Sequence, residues 1–362
     1  MTTVCHQLPN RGGLWLPGVV TALRPVTIND VAARAGVAPS TVSRALSEPG
    51  RGNPATRERI RAIARELNYV PNSQAQALTS GRTGTIAVLV SDVTNPFYSG
   101  IIRGTQQVSK AAGYAEVLID TEESPELEID MLRKMRRSLD GAVLAASRLS
   151  ERALIRLAGE IPLVTINRNV RGVPSVVIDS PDGIAQAVEH LISLGHRDIV
   201  YVSGPETSWS NQARWHAMRK AATKHGLDFR KVGPFPPGRD SGTAAADAVL
   251  NTGATACIVF NDLLAIGVLT RLAERGVGVP DQLSVVGCDD IFGADFCHPP
   301  LTTLSGPAEQ AGRAAVSLLL ARLGDQRAPA QRRAVLLPTH LTVRESTGPA
   351  FSGSPSGRRQ GW

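Results

Sequence analysis

Residues 27–47 read TINDVAARAGVAPSTVSRALS, and this stretch decides the fold of the amino-terminal part of the chain. Thr27 and Asp30 have nearly the spacing of a capping box, and the apolar residues that follow recur on one face of a helix. Gly36 ends this helix because glycine makes the tight turn without the penalty of a Cβ atom. Pro39 suits the first position of a second helix, which fills the rest of the stretch.

A third helix is predicted to start at NPATRERI (53–60), where a capping asparagine precedes a proline of the first turn, and to run to about Leu67. Two short helices joined by a glycine turn, with a third that completes the core, form a helix-turn-helix, whose second helix fits the major groove of DNA. The side chains expected to face the core are Ile28, Val31, Ala32, Ala35, Val37, Val42, Ala45, Leu46, Ile60, Ile63, Ala64 and Leu67.

The positive charge of the chain is concentrated near its amino terminus. The net charge is +7, and residues 1–83 contain ten arginines, no lysine and four acidic residues, so that +6 of it lies in the first quarter. A small basic module on a near-neutral body is typical of a polyanion binder. A solvated charged face would look the same, and the motif has to decide between the two.

The composition excludes several classes of protein. Only 4% of the residues are aromatic, which argues against a stacking platform for single-stranded nucleic acid. No apolar run approaches the ~18 residues of a membrane helix. The four cysteines are scattered, so a disulfide scaffold or structural zinc site is not expected, and their use fits a reducing cytoplasm.

From Thr85 the pattern changes to short apolar runs that alternate with amphipathic helices, which predicts parallel sheets in two similar lobes. A helix from about Pro307 to Leu323 and a last strand near VLLPTHLTV (335–343) should follow. Capping side chains before a proline are expected at Asn95-Pro96, Ser124-Pro125 and Ser180-Pro181. The predicted strands are IAVLV from Ile86, YAEVLI from Tyr114, AVLAA from Ala142, LVTI from Leu163, SVVI from Ser175, IVYV from Ile199, ACIVF from Ala256 and LSVVGC from Leu283.

Polar residues close four of these strands, namely Asp92, Asn167, Asn261 and Asp289. In open α/β sheets, ligands bind beyond the carboxyl ends of the strands. Amide and carboxylate groups can each hold two vicinal hydroxyls, so this set suits a small polyol. Any one of them could equally be a helix cap, but four at the ends of different strands favour a ligand site.

The amino-terminal residues resemble the DNA-binding head of the lactose repressor (LacI/GalR) family. The resemblance is nearly continuous from Pro25 to Arg82, through TINDVAARAGVAPSTVSRAL, NPATRERI and ELNYVPNSQAQAL. It implies base-reading positions at Pro39, Ser40 and Arg44, and positions that hold phosphates or groove edges at Thr41, Ser43, Ser47 and Arg51. An arginine offers a planar fork to guanine. The sequence departs from the family at Ala38, where a capping serine is usual, and at Pro39, which brings no hydrogen bond to a base.

Residues 71–82, PNSQAQALTSGR, are expected to form a hinge. The segment is too short for a stable isolated helix, so we expect it to be disordered in the free protein and to fold on DNA. The resemblance assigns Leu78 the role of a wedge that opens a base step in the minor groove, with Asn72 and Ala75 as further DNA contacts. The alternative is that Leu78 only docks the linker.

The resemblance extends to about Ser346, through SDVTNPFYSGIIRG, DGAVLAA, EHLISLGHRDIVYVSGP, FNDLLAIGVL, VPDQLSVVGCDD and PPLTTL. These segments look like the effector-binding core of the same repressors, which is similar to periplasmic sugar-binding proteins. It implies effector contacts at Phe97, Asn167, Arg214, Asn261 and Asp289, with Asp92 nearby. Arg214 would suit a hydroxyl cluster, a carboxylate or a phosphate, or would form an interlobe salt bridge.

The expected fold is therefore α/β, with an all-α helix-turn-helix head and a two-lobed core of parallel sheets like that of periplasmic binding proteins. The expected domains are a disordered leader (1–24, or a start codon placed too far upstream), a DNA-binding domain (25–70), a hinge helix or linker (71–83), an effector-binding and dimerisation domain (84–347) and a disordered tail (348–362).

The expected function is that of a cytoplasmic, sequence-specific transcriptional regulator, a repressor, that binds double-stranded, pseudo-palindromic operator DNA as a homodimer. A small effector, a sugar or sugar derivative, would modulate operator binding. The alternatives are a solute-binding transport component, against which the basic head argues, and an enzyme. No phosphate loop, dinucleotide fingerprint or metal-ligand spacing is found, so neither a cofactor nor a metal is expected.

Overall fold

The computed structural model describes residues 26–47, 53–70, 82–227, 229–324 and 334–350. They belong to two compact units, here called the head (26–70) and the core (82–350). Several predictions fall wholly or mostly outside the described residues: the leader 1–24, the hinge 71–83 up to residue 81, the tail 348–362 beyond residue 350, and the DNA contacts at Arg51, Asn72, Ala75 and Leu78.

The head consists of three helices, α1 (Ile28–Ala35), α2 (Pro39–Ser47) and α3 (Pro54–Glu66). The Asp30 carboxylate accepts hydrogen bonds of 2.7 Å from both the backbone N–H and the hydroxyl of Thr27, which fixes the start of α1. Gly36 ends α1 in the left-handed region with φ 64°. All three helices were predicted from sequence.

The core of the head contains the residues that the sequence pattern predicts. Val31, Val42 and Ile60, one from each helix, are fully buried at its centre. Burial of such aliphatic side chains is the main source of stability in a unit of this size. The others around them are Ala32, Ala35, Ala45 and Ala64, with Ile28, Val37, Leu46, Ile63 and Leu67 partly buried against the cluster.

The first lobe of the core is a six-stranded sheet in which every pairing is parallel. Its strand order is β11-β5-β4-β3-β1-β2. The strands are β1 (Thr85–Val90), β2 (Ala115–Asp120), β3 (Gly141–Ala145), β4 (Leu163–Ile166), β5 (Ser175–Ile178) and β11 (Val335–Leu337). The helices are α4 (Phe97–Ala111), α5 (Pro125–Met135), α6 (Glu151–Glu160) and α11 (Ala308–Gly324).

The second lobe has a similar sheet, of order β12-β10-β9-β8-β6-β7, parallel except for the antiparallel pair β10–β12. The strands are β6 (Ile199–Val202), β7 (Arg230–Val232), β8 (Ala256–Val259), β9 (Ser284–Asp289), β10 (Thr302–Ser305) and β12 (His340–Thr342). The helices are α7 (Ser180–Ser193), α8 (Trp209–His225), α9 (Gly242–Leu250) and α10 (Asp262–Glu274).

The chain crosses between the two lobes three times. It enters the second lobe after β5, returns to the first after β10, and crosses again between β11 and β12. As a result, α11 packs against the apolar face of the first sheet although it follows the second lobe in sequence. All eight predicted strands and the two-lobed arrangement are confirmed.

Two sequence predictions are corrected. The expected last strand near VLLPTHLTV is two short strands that belong to different sheets, with Pro338 between them, because proline lacks the N–H that a continuous ladder needs. The cap of α7 is Asp179 rather than Ser180, since the Asp179 carboxylate accepts from the N–H of Asp182 (3.4 Å) and Ser180 is the first helical residue.

Within the described ranges, no helix has the length and apolar character to cross a lipid bilayer.

Candidate nucleic-acid interface and ligand cleft

The outer face of α2 carries the predicted base-reading residues Pro39, Ser40 and Arg44 and two of the predicted phosphate or groove-edge contacts, Thr41 and Ser43. Pro39, Ser40, Ser43 and Arg44 are exposed and Thr41 is half-buried. The apolar residues of the helix, Val42, Ala45 and Leu46, face the core of the head. The Arg44 Nε donates to the Ser40 carbonyl at 3.2 Å, so the guanidinium lies along the helix. This surface presents hydroxyl groups beside the fork of donors that suits a guanine edge.

Other arginines of the head hold the helices together. Arg59 donates to the carbonyl of Ala35 at 3.0 Å and thereby satisfies the carboxyl end of α1. Arg34 forms an ion pair with Glu66 at 3.0 Å, which joins α1 to α3. The positive charge of the head therefore serves both packing and surface potential.

A narrow cleft lies between the two lobes of the core. Each lobe contributes seven lining residues, and most of them follow the carboxyl ends of strands, as the rule for open α/β sheets predicts. The lining residues are Asn95, Phe97, Tyr98, Glu123, Ala146, Arg148 and Asn167 of the first lobe and Ser208, Ser210, Arg214, Pro237, Phe260, Asn261 and Asp289 of the second.

Five of the six predicted effector contacts are brought together in this cleft: Phe97, Asn167, Arg214, Asn261 and Asp289. The sixth, Asp92, does not line it. Its carboxylate accepts from the backbone N–H (2.8 Å) and the hydroxyl (2.6 Å) of Thr94, which stabilises the turn before α4.

Two of the strand-end residues are structural as well as cleft-lining. The Asn261 side chain accepts from the N–H of Leu264 at 3.0 Å, which caps α10, and donates to the Pro237 carbonyl at 2.8 Å. The side-chain amide oxygen of Asn167 accepts from the N–H of Ile178 at 3.0 Å and so ties the end of β4 to the end of β5. Asn261 therefore has both of the roles that the sequence allowed, since it caps a helix and also lines the cleft.

The backbone is strained where strands end at the cleft. Asn167 has φ 52°, Asp289 has φ 114° and Ala146 has φ 54°. For residues with a Cβ atom, such conformations cost on the order of 1–3 kcal/mol each and persist only where the surroundings enforce them. They turn the chain sharply at the sheet edge.

Arg214 of α8 forms a buried ion pair with Asp289 at the end of β9, at 2.8 Å. The guanidinium also donates to the Phe260 carbonyl, and its centre lies 5.3 Å from the centroid of the Phe260 ring. Burial raises the pKa of the Asp289 carboxyl, and the Arg214 guanidinium opposes that shift. The pair joins two elements of the second lobe, so it is not the interlobe salt bridge that the sequence left open.

A second ion pair, formed by two residues outside the predicted effector contacts, lines the cleft on the side of the first lobe. Arg148 follows β3 and binds the carboxylate of Glu123, which follows β2, through Nε–Oε2 (2.5 Å) and Nη2–Oε1 (2.9 Å). Behind it, the Glu128 carboxylate accepts from the backbone N–H of Arg148 at 3.3 Å. Burial raises the pKa of Glu128 to about 7.

Aromatic rings complete the cleft. Phe97 meets Tyr98 edge to face with centroids 5.3 Å apart, and burial raises the pKa of Tyr98 to about 12, so its hydroxyl stays neutral at physiological pH. Phe260 lies on the opposite lobe. A few apolar faces among convergent polar groups are typical of a small-molecule site.

Comparison with known proteins agrees with both parts of the molecule. Residues 27–72 match the family described as bacterial regulatory proteins, lacI family, and residues 188–347 match the periplasmic binding protein-like domain. The HTH-type transcriptional regulator DegA of Bacillus subtilis (strain 168) is 32% identical over 333 residues, which cover 89% of this chain and 98% of DegA. The chain belongs to the LacI family.

Solved structures support the same assignment. The lac repressor dimer bound to operator and the anti-inducer ONPF has a TM-score of 0.79 and 28% identity, and the match covers 90% of this LacI-family chain and all of that one. The transcriptional regulator CelR in complex with cellobiose has a TM-score of 0.66 and 31% identity, over 89% of this chain and all of CelR. The helix-turn-helix head and two-lobed parallel core are therefore the fold of a LacI-family regulator.

Proposed function

We propose that this LacI-family chain is a DNA-binding transcriptional repressor whose operator affinity is set by a small polyhydroxylated ligand in the interlobe cleft. It acts in the cytoplasm as a homodimer on a pseudo-palindromic operator, by binding and without catalysis. The observation that carries the proposal is the combination, in one chain, of an exposed polar face on α2 with a cleft lined by polar groups between two lobes.

The head supports the DNA part of the proposal. Pro39, Ser40 and Arg44, which the resemblance assigns to base reading, lie on the exposed face of α2 together with Ser43, which it assigns to phosphates or groove edges. The fork of Arg44 would read a guanine, a contact worth about 1–3 kcal/mol of discrimination against a wrong base. The resemblance places Thr41, Ser47 and Arg51 against phosphates and Leu78 as the minor-groove wedge.

The cleft supports the ligand part. Five family effector positions converge there, together with hydroxyl, amide and aromatic groups from both lobes. Two relatives were solved with small ligands, ONPF in the lac repressor and cellobiose in CelR. By analogy, we assign a sugar or sugar derivative to the cleft of this chain.

The two sites would communicate through the relative position of the lobes. A ligand held by residues of both lobes favours one interlobe arrangement, and in a dimer that arrangement sets the spacing of the two hinges. Operator and ligand then share one coupling free energy, typically ~1–3 kcal/mol. Each changes the affinity of the other by the same factor.

The test is operator selection followed by a salt titration. Full-length protein is used to enrich duplexes from a random library, and the affinity for the enriched duplex is then measured between about 50 and 200 mM salt. Over this range, added salt lowers the affinity of a protein that contacts several phosphates by roughly 10³-fold or more. Arg44→Ala should flatten base preference more than it changes the salt slope. Arg156→Ala, an exposed arginine of α6 in the core, is the matched control and should change neither.

Enrichment of no sequence over random DNA, with or without sugars, would refute the proposal. Leu78→Ala should weaken binding to the enriched duplex without unfolding the head. Unchanged affinity of this variant would remove the wedge role alone.

A further inference from the structure

The four charged side chains that line the cleft form two internally neutral pairs. Glu123 and Arg148 belong to the first lobe, and Arg214 and Asp289 to the second. Among the lining residues these four are the charged ones, so the lining has no surplus of either sign. The sequence alone left open whether the ligand is an uncharged polyol, a carboxylate or a phosphate. The equal number of positive and negative side chains in the lining helps to decide between an uncharged and an anionic ligand.

The Glu123–Arg148 pair is built into the wall of the first lobe. The Arg148 side chain is only 4% exposed and Glu123 is 27% exposed. Both carboxylate oxygens bind the guanidinium, and the remaining Nη1 donates to the Ala146 carbonyl at 3.0 Å. Glu123 is itself fixed, because its backbone has φ 60° and its N–H donates to the Ser91 carbonyl at 2.8 Å.

An anionic ligand would find no free positive charge in such a site. It would lose its hydration on entering the cleft, and each guanidinium that it could approach is already neutralised by a carboxylate of the protein. A carboxylate or phosphate would also lie beside Glu123 and Asp289, which repel it. Burial of an uncompensated negative charge is therefore unfavourable here.

An uncharged polyol meets the opposite situation. A hydroxyl group donates one hydrogen bond and accepts others. It can donate to lone pairs left on Glu123 and Asp289 and accept from N–H groups of Arg148 and Arg214, since all four side chains line the cleft. Two adjacent hydroxyls can use the donor and the acceptor of one ion pair together, while the rings of Phe97 and Phe260 cover apolar faces of the ligand.

We propose that the Glu123–Arg148 pair is a specificity determinant that restricts the cleft to uncharged, polyhydroxylated ligands and rejects sugar acids and sugar phosphates. This inference rests on the proposed function of the cleft as the ligand site. It adds a pair of residues and a charge class that the family resemblance did not supply. Glu123 neutralises Arg148, and Arg148 keeps Glu123 in place.

The experiment measures ligand binding to the full-length protein by calorimetry. The probes are neutral mono- and disaccharides, each paired with its aldonic acid, uronic acid and 6-phosphate. Wild type should bind a neutral member at least tenfold more tightly than its charged counterparts. Glu123→Gln frees the charge of Arg148 and should shift the ratio of neutral to acidic affinity by tenfold or more toward the acid.

Two further variants make the result specific. Glu122→Gln has the same charge change one residue away, at an exposed position outside the cleft lining, and should keep the wild-type ratio. The double variant Glu123→Gln, Arg148→Gln removes both charges and should restore preference for the neutral ligand. This double variant also keeps the inference testable if Glu123→Gln alone fails to fold.

Each remaining outcome counts against the inference. Tighter binding of an acid or phosphate by wild type would overturn it while leaving the ligand-responsive regulator intact. Equal ratios in the Glu123→Gln and Glu122→Gln variants would remove the role of the pair. If no probe binds although the protein selects an operator, the inference fails together with the ligand part of the proposed function, and the DNA part stands.

Discussion

Arg214 and Asp289 form a 2.8 Å ion pair whose side chains are only 6% and 11% exposed. Removal of two charges from water is costly, so a pair of this kind is poor as a device for stability alone. Here the guanidinium is held further by the Phe260 carbonyl and, at 3.4 Å, by the Ser180 hydroxyl. These bonds fix a polar surface in the second lobe that a ligand meets already oriented.

Asp289→Asn should destabilise the core strongly. The substitution keeps the size of the side chain but leaves the Arg214 guanidinium buried without its counter-charge, which costs about 3–5 kcal/mol. The measurement is urea unfolding of the full chain. Asp295→Asn makes the same chemical change at an exposed position six residues later and should stay within about 0.5 kcal/mol of wild type. Equal stability of the two variants would contradict a buried pair.

Gly312→Ala should also destabilise the core, for a steric reason. A Cβ atom at Gly312 would lie 2.2 Å from the Ile101 carbonyl oxygen, and one at Gly104 would lie 2.0 Å from that of Glu309, so α4 and α11 touch backbone to backbone. Forcing the helices apart is expected to cost ~1–3 kcal/mol.

The control for that substitution is Gly159→Ala. A Cβ atom at Gly159, inside α6, meets nothing within 4 Å. Alanine is favoured over glycine in a helix, so this variant should gain about 0.5–1 kcal/mol. Thermal unfolding of both variants should therefore give shifts of opposite sign, and a raised unfolding temperature for Gly312→Ala would show that helix propensity outweighs the close approach.

The fold followed from sequence wherever a pattern is local. Thr27, Asp30 and Gly36 delimit α1 through side chains and backbone of neighbouring residues, and the apolar runs of the core became strands. The prediction of a single last strand around Pro338 was wrong because VLLPTHLTV has the apolar character of one continuous strand. Membership of two sheets depends on contacts with Val176 and Leu304, which are distant in the chain.

The cleft was only partly predictable from sequence. Asp92 follows β1 as the rule for strand ends requires, but the turn to α4 uses its carboxylate to bind Thr94. Arg148 and Glu123 lie three residues beyond β3 and β2, and the same rule would have found them if it had extended past the first residue after each strand. Which way a side chain points after a strand depends on φ values and partners that periodicity does not determine.

Glu128→Gln should make the stability of the core less dependent on pH. Burial raises the pKa of Glu128 to about 7, although the Ser147 hydroxyl, Arg148 and Arg168 favour its charged form. The folded state therefore binds more protons than the unfolded state between the ordinary pKa of 4.5 and about 7, and stability falls as pH rises through this window. The loss is complete above the folded pKa.

The measurement is urea unfolding at pH 5 and pH 8. The advantage of Glu128→Gln over wild type should grow by about 2–3 kcal/mol from the lower to the higher pH, because each pKa unit is worth about 1.4 kcal/mol. Glu126→Gln, on the exposed side of the same helix α5, should show no such change. A constant difference between wild type and the Glu128→Gln variant would mean that Glu128 is ionised normally in the folded protein.

Ala38→Ser should stabilise the head. Ala38 is exposed and directly precedes Pro39, the first residue of α2, and its carbonyl already accepts from the N–H groups of Thr41 (2.8 Å) and Val42 (3.2 Å). A serine hydroxyl there would accept a hydrogen bond from a backbone N–H of the first turn of α2, as N-cap side chains do, a gain of about 0.5–2 kcal/mol. Hydrogen exchange of α2 amides in the full chain measures it. Ala33→Ser, at an exposed position inside α1, should lower protection instead, since serine is a poorer helix former than alanine.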